Sequence, residues 1–257
     1  MITSTLRWAT RSRKPLEFLL RWALACVIPT TVLAQQVTVT GRVEVQDEGR
    51  ATLRPDSSGV LVWLEPAGNT TLPDGAWNQA GAGRPLRLTQ KSKTFEPHLL
   101  VVPVGATVEF PNRDPFFHNV FSLFEGKRFD LGLYEAGTSR NVHFDKAGIS
   151  YIFCSIHSQM SAVVVALPSP YYGISDKSGS FSIADVHPGR YLMKVWAEGA
   201  APETLERLSR AVAVAEDNRS LGSVRLTVTP LMTLNHKNKY GRDYDPPTPN
   251  SPAYVQP

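Results

Sequence analysis

The stretch "AGISYIFCSIHSQM" constrains this chain more than any other. Ser150–Phe153 reads as a strand, being rich in Tyr, Ile and Phe. It runs directly into Cys154, and His157 and Met160 follow at three-residue intervals. A thiol, an imidazole and a thioether so close together can all bind a soft metal ion. A lone buried Cys or Met in a strand is ordinarily only core. The meaning of the trio therefore depends on what the rest of the chain supplies.

The compartment comes first. Arg7, Arg11, Arg13 and Lys14 precede an apolar run from Leu16 to Leu33, interrupted by Glu17, Arg21 and Pro29, and Val32-Leu33-Ala34 fits a signal-peptidase site. Residues 1–34 read as a secretory signal. A lipoprotein anchored through Cys26 is the competing reading, although Ala23-Leu24-Ala25 is a weak lipobox. Without the leader, five of the 27 basic and one of the 23 acidic residues go, leaving 22 of each. The basic balance thus belongs to the leader, and it implies neither nucleic acid nor stable membrane insertion. Cys26 leaves with it, so Cys154 has no cysteine to pair with. An unpaired thiol in an oxidising compartment is a liability unless something such as a metal occupies it.

The mature sequence reads as all-β. Strand-like runs cover Val37–Val45 and Val60–Leu64. After a soft stretch from Pro66 to Arg84 they resume as Leu86–Gln90, Leu99–Val102, Thr107–Phe110, Asn119–Leu123, Thr138–Phe144, Ser150–Phe153 and Ala162–Leu167. Short strands at this density, divided by turns, make a sandwich. Further runs at Tyr171–Ile174, Ser180–Ile183 and Tyr191–Trp196 flank an Asp-Lys-Ser-Gly turn and a Pro-Gly turn. Only residues 202–210 read as helical. The proline-rich end reads as an extended tail.

A thiolate, two imidazoles and a weak axial thioether form the donor set of a type 1 copper site. Cys154, His157 and Met160 supply three of these. His118, in "PNRDPFFHNVFS", is the best candidate for the fourth. Zinc is open to Cys and His alone, but methionine is a poor zinc ligand. His98 and His143 read as strand residues, His187 as a turn residue and His236 as tail surface. Phe116 and Phe117 read equally as core or as an apolar rim beside His118.

With these residues in view, 85–168 resembles the cupredoxins. Cys154-x2-His157-x2-Met160 has the spacing of the short amicyanin-type ligand loop. "VPVGATVEFPNRDPFFHNVFS" is similar to the family's segment ending in His-Asn-Val. The resemblance implies a Greek-key β-sandwich holding one Cu(I)/Cu(II) ion. It implies His118 and His157 binding through Nδ1, Cys154 through sulfur and Met160 axially, with Asn119 tying the His118 strand to the cysteine loop. Ser155-Ile156 and Ser158-Gln159 replace the prolines of the amicyanin loop.

"GISDKSGSFSIADVHPGRYLMKVWAEG" resembles the small carboxypeptidase regulatory-like (transthyretin-like) β-sandwich. The Gly-x-Val strand with which that family begins has its counterpart far upstream, in Gly41-Arg42-Val43. The expected organisation is therefore a regulatory-like domain of residues 36–68 and 169–228, interrupted by the copper domain at 85–168 and followed by a tail at 229–257. The alternative is two sandwiches in series.

A four-ligand site leaves no open position for substrate, so the expected role is not enzymatic. It is a periplasmic one-electron carrier between redox proteins such as a dehydrogenase, a cytochrome or another copper protein, exchanging electrons at an exposed edge of His157. The alternatives are a copper delivery or assembly factor, and a structural module that keeps the fold for its shape.

Overall fold

In the computed structural model, residues 35–77, 85–123, 125–229 and 237–244 are described. The expected leader with Cys26, and His236, lie outside them.

The regular secondary structure of the described residues is nearly all β. In chain order the strands are β1 (Val37–Asp47), β2 (Leu61–Pro66), β3 (Thr89–Lys91), β4 (Thr94–Glu96), β5 (Leu99–Pro103), β6 (Ala106–Pro111), β7 (His118–Ser122) and β8 (Phe129–Tyr134). They continue as β9 (Ser139–Phe144), β10 (Gly148–Phe153), β11 (Ser161–Leu167), β12 (Tyr172–Ile174), β13 (Ser180–Val186), β14 (Gly189–Trp196), β15 (Arg210–Val214) and β16 (Ser220–Val228). One short helix, α1 (Pro202–Leu208), starts on a proline, whose missing N–H costs nothing in a first turn. Among the described residues no helix is long and apolar enough to cross a membrane.

Val37, Val39, Val43 and Val45 give β1 one apolar face. The strand pairs antiparallel with β13 and parallel with β16. A second sheet, in the order β12-β2-β14-β15, packs on the first around Val39, Val62, Leu64, Ile183, Met193 and Leu226. The Asp176–Gly179 turn locks this sandwich. Gly179 has φ +81°, and a Cβ there would lie 2.0 Å from the Val43 carbonyl oxygen, so only glycine fits.

The strands of residues 89–167 build a separate layer, in the order β5-β11-β10-β7-β8, with the β6–β9 and β3–β4 pairs. Its core gathers Val102, Phe110, Val120, Phe144, Ile152 and Val164, together with Cys154 and Met160. β8 (Phe-Asp-Leu-Gly-Leu-Tyr) is not among the expected strands, and it sets Phe129, Leu131 and Tyr134 against this core. Leu131 and Gly132, the latter at φ +67°, form a bulge opposite Val120 of β7.

β2 and β11 read as unbroken apolar runs because both faces of each are covered. Val62 and Leu64 point into the first core, whereas Leu61 and Trp63 point to the opposite face. On β11, Ala162, Val164 and Ala166 face the second core, while Val163, Val165 and Leu167 turn the other way. These outer faces meet in a third cluster completed by Trp196 and Val101.

Candidate metal centre

Two segments bring the predicted donors together. His118 opens β7, whose five residues are all buried. The loop before it is held by Asn112, whose Oδ1 accepts from the Asp114 N–H at 3.0 Å and whose Nδ2 donates to the Phe116 carbonyl at 2.8 Å. Cys154 follows the last residue of β10. The loop after it closes on itself, with the Met160 N–H donating to the His157 carbonyl at 3.1 Å and the Cys154 N–H to the Met160 carbonyl at 3.3 Å.

Cys154 Sγ lies 3.8 Å from His118 Nδ1 and 3.6 Å from His157 Nδ1. The three donor atoms all fall within 4.8 Å of one another. Met160 is fully buried in the same core cluster as Cys154. Metal bonds of about 2.0–2.1 Å to nitrogen and about 2.3 Å to sulfur, meeting at about 110–120°, put donors about 3.6–3.8 Å apart. The two observed sulfur–nitrogen spacings fit a common ion.

The electrostatics favour an ion as well. Burial pushes the Cys154 thiol pKa up, against the pull of the Asn119, Ile156 and His157 amides directed at its sulfur. Burial, aided by the charges of His118 and Lys93, pulls His157 down to about 4. Burial also lowers His118, outweighing the opposing effect of Asp114. Both imidazoles are thus neutral near pH 7 and able to ligate, and a bound cation would draw the proton from the thiol.

Behind His118, Asp114 Oδ2 lies 2.7 Å from Nε2. This carboxylate also accepts the backbone N–H groups of Ser92 at 2.5 Å and Lys93 at 2.9 Å. Burial works to raise the Asp114 pKa, but the Lys93, His118 and Ser92 bonds together hold it below the usual carboxylate value. Ser92 and Lys93 both have positive φ and form the two-residue turn between β3 and β4.

Some expectations are met and others change. The exposed edge expected of His157 is absent: the residue is 2% exposed. Phe116 covers it, with ring centroids 5.7 Å from His157 and 5.2 Å from His118. The paired phenylalanines therefore part company, since Phe117 is 52% exposed. The Asn119 side chain donates to Asp130 Oδ1 at 2.7 Å, and it is the backbone N–H of Asn119 that faces the cysteine. His98, expected in a strand, sits in the bend just before β5 and pairs with Glu198; His143 is exposed on β9, and His187 Nδ1 lies 2.7 Å from the Tyr171 hydroxyl.

Three residues at the site carried no notice in the sequence. Asp114 sits four places before His118, a spacing without meaning until Asn112 folds the loop. Lys239 and Tyr244 come from the part of the chain read as an extended tail. Yet the Tyr244 hydroxyl donates to the Cys154 carbonyl at 2.6 Å, and Lys239 Nζ lies 2.8 Å from Asp130.

No protein-family model matches this sequence, and no curated protein matches it significantly. Among solved structures it is similar to a Cu-containing nitrite reductase (NirK) from Thermus scotoductus SA-01, at 26% identity over 33% of this chain and TM-score 0.31. The chain covers only 22% of that protein's length. It is also similar to a purple cupredoxin from Nitrosopumilus maritimus, at 24% identity over 32% of this chain and 98% of that one, with TM-score 0.29. A Cu(I) variant of amicyanin matches at 23% identity over 32% of this chain and 80% of its own, with TM-score 0.30.

Proposed function

We propose that this chain is a type 1 copper protein carrying single electrons between protein partners in the periplasm. One observation carries the reading: Cys154 Sγ lies 3.8 Å from His118 Nδ1 and 3.6 Å from His157 Nδ1, with Met160 buried in the same core. A buried thioether beside a thiolate and two imidazoles favours copper over zinc. Bound there, copper would supply a one-electron couple.

The chain's own residues do the rest. Asp114 holds the His118 ring in place, burial keeps both imidazoles neutral, and the Asn119, Ile156 and His157 amides stabilise negative charge on the sulfur. Phe116 keeps water from the two rings. Four protein ligands leave no position for a substrate, so the role is that of a carrier and not of an enzyme. With His157 buried, a redox partner (a dehydrogenase, cytochrome or second copper protein) approaches through Phe116 and the exposed Phe117. Residues 85–168 act as a copper domain inserted into a regulatory-like scaffold of residues 36–68 and 169–228.

Copper loading followed by a redox cycle tests this. The Cu(II) protein is expected to show an intense red-region charge-transfer band that bleaches on one-electron reduction and returns on oxidation. Tight Cu(I) binding without that reversible band would point instead to a copper delivery factor.

A further inference from the structure

Residues 237–244 contribute no strand to any sheet. They form a compact turn built on Asn238, whose Oδ1 accepts the N–H groups of Tyr240 at 2.9 Å and Arg242 at 3.1 Å. The Asn238 N–H donates to the Arg242 carbonyl at 2.8 Å, and the Gly241 N–H returns to the Asn238 carbonyl at 2.9 Å. Gly241 takes φ +72°, which closes the turn without strain.

Two side chains leave this turn for the metal centre. The Tyr244 hydroxyl donates to the carbonyl of Cys154 itself. Lys239, with only 19% of its side chain exposed, pairs with Asp130 Oδ2. The other oxygen of Asp130 accepts from the Asn119 side chain. Asn119 follows His118, and its backbone N–H is directed at the Cys154 sulfur. The segment thus reaches the sulfur from two sides, through the carbonyl of the cysteine and, by way of Asp130, through the residue whose amide faces it. Tyr240, in the same turn, is 75% exposed.

We propose that residues 237–244 are a strap over the metal centre, in which Lys239 and Tyr244 are positioning residues that fix the Asn119 amide and the Cys154–Met160 loop around the sulfur. Hydrogen bonding at a copper-bound cysteine sets the reduction potential, because each bond onto sulfur stabilises the more electron-rich reduced state. A slack strap weakens that bonding. The metal-loaded consequences rest on the copper reading above, whereas the strap's effect on the metal-free protein does not.

The test uses full-length Tyr244→Phe and Lys239→Ala proteins, with Lys239→Arg as the conservative rescue. In the metal-free protein, amide hydrogen exchange at Asn119, Ile156 and His157 is expected to speed up about 3- to 10-fold in the two strap variants, the size of one lost hydrogen bond. In the copper-loaded protein the ratio of Cu(I) to Cu(II) affinity is expected to fall by the same factor, which lowers the potential by about 30–60 mV. Lys239→Arg is expected to behave as wild type in both measurements. Wild-type exchange rates in both strap variants would overturn the strap, whether or not the protein binds copper. Faster exchange in the strap variants, with no red copper band from the copper-treated wild type, would instead uphold the strap and overturn the copper reading.

Discussion

His118 donates its Nε2–H to Asp114 across 2.7 Å, which leaves Nδ1 as the nitrogen facing Cys154. An ionised carboxylate can only accept, and Asp114 is held ionised by its bonds to the Ser92 and Lys93 amides and to His118. The tautomer of one imidazole is thereby set by a turn between two strands that themselves carry no donor. A carboxylate in this position orients the ring and raises its basicity toward a metal.

Asp114→Asn keeps the size of the side chain and loses its charge. Copper affinity is expected to fall about 10- to 100-fold, as for other partners of ligating histidines. Competition titration measures the affinity. In the metal-free wild type, nitrogen-detected NMR of His118 is expected to show the proton on Nε2, and unchanged affinity together with an Nδ1 proton would contradict the assignment.

Met160→Leu preserves volume in a fully buried position, so its stability cost is expected to stay under about 1.5 kcal/mol. The charge-transfer band is expected to persist and the reduction potential to rise, because a weak donor to Cu(II) is lost. Voltammetry of the variant checks the direction.

His98 and Glu198 form a pH-dependent link, with Nε2 and Oε2 2.7 Å apart. The hydrogen bond to Glu198 raises the His98 pKa above its usual 6.5, more than burial lowers it. A raised folded-state pKa adds stability that is complete below the unfolded value and fades as pH climbs through the folded one. The side chain of His98 is 53% exposed, so solvent screens the pair. His98→Gln is expected to lose at most about 1 kcal/mol near about pH 5.5 and nothing measurable near about pH 9. Denaturant melts at the two pH values decide it.

Trp196 is 3% exposed and fills the cluster between the outer faces of β2, β14 and β11. Trp196→Ala is expected to destabilise the protein by about 3–5 kcal/mol. A guanidinium unfolding curve measures the loss.

What the sequence disclosed followed how local each signal was. Cys154, His157 and Met160 declared themselves because one loop carries all three at even spacing. Two-faced burial left β2 and β11 visible as apolar runs, whereas β8 has no β-branched residue and alternates its apolar positions with Asp130 and Gly132, two types depleted in strands. Asp114 and Phe116 flank His118 closely in sequence, yet their roles depend on how Asn112 folds their loop. The covering of His157 could not be foreseen, since it requires that loop to fold back across the cysteine loop. Tyr244 lies 90 residues from Cys154, and nothing in "KNKYGRDY" signals the contact.

The proposed function stands or falls with one copper ion bound by His118, Cys154 and His157. Copper-edge X-ray absorption of the loaded protein tests it most directly, with Cys154→Ala measured alongside. The account predicts one short sulfur scatterer and two imidazoles in the wild type, with the short sulfur gone from Cys154→Ala. A shell of nitrogen and oxygen alone in the wild type, or a short sulfur that survives in Cys154→Ala, would contradict it.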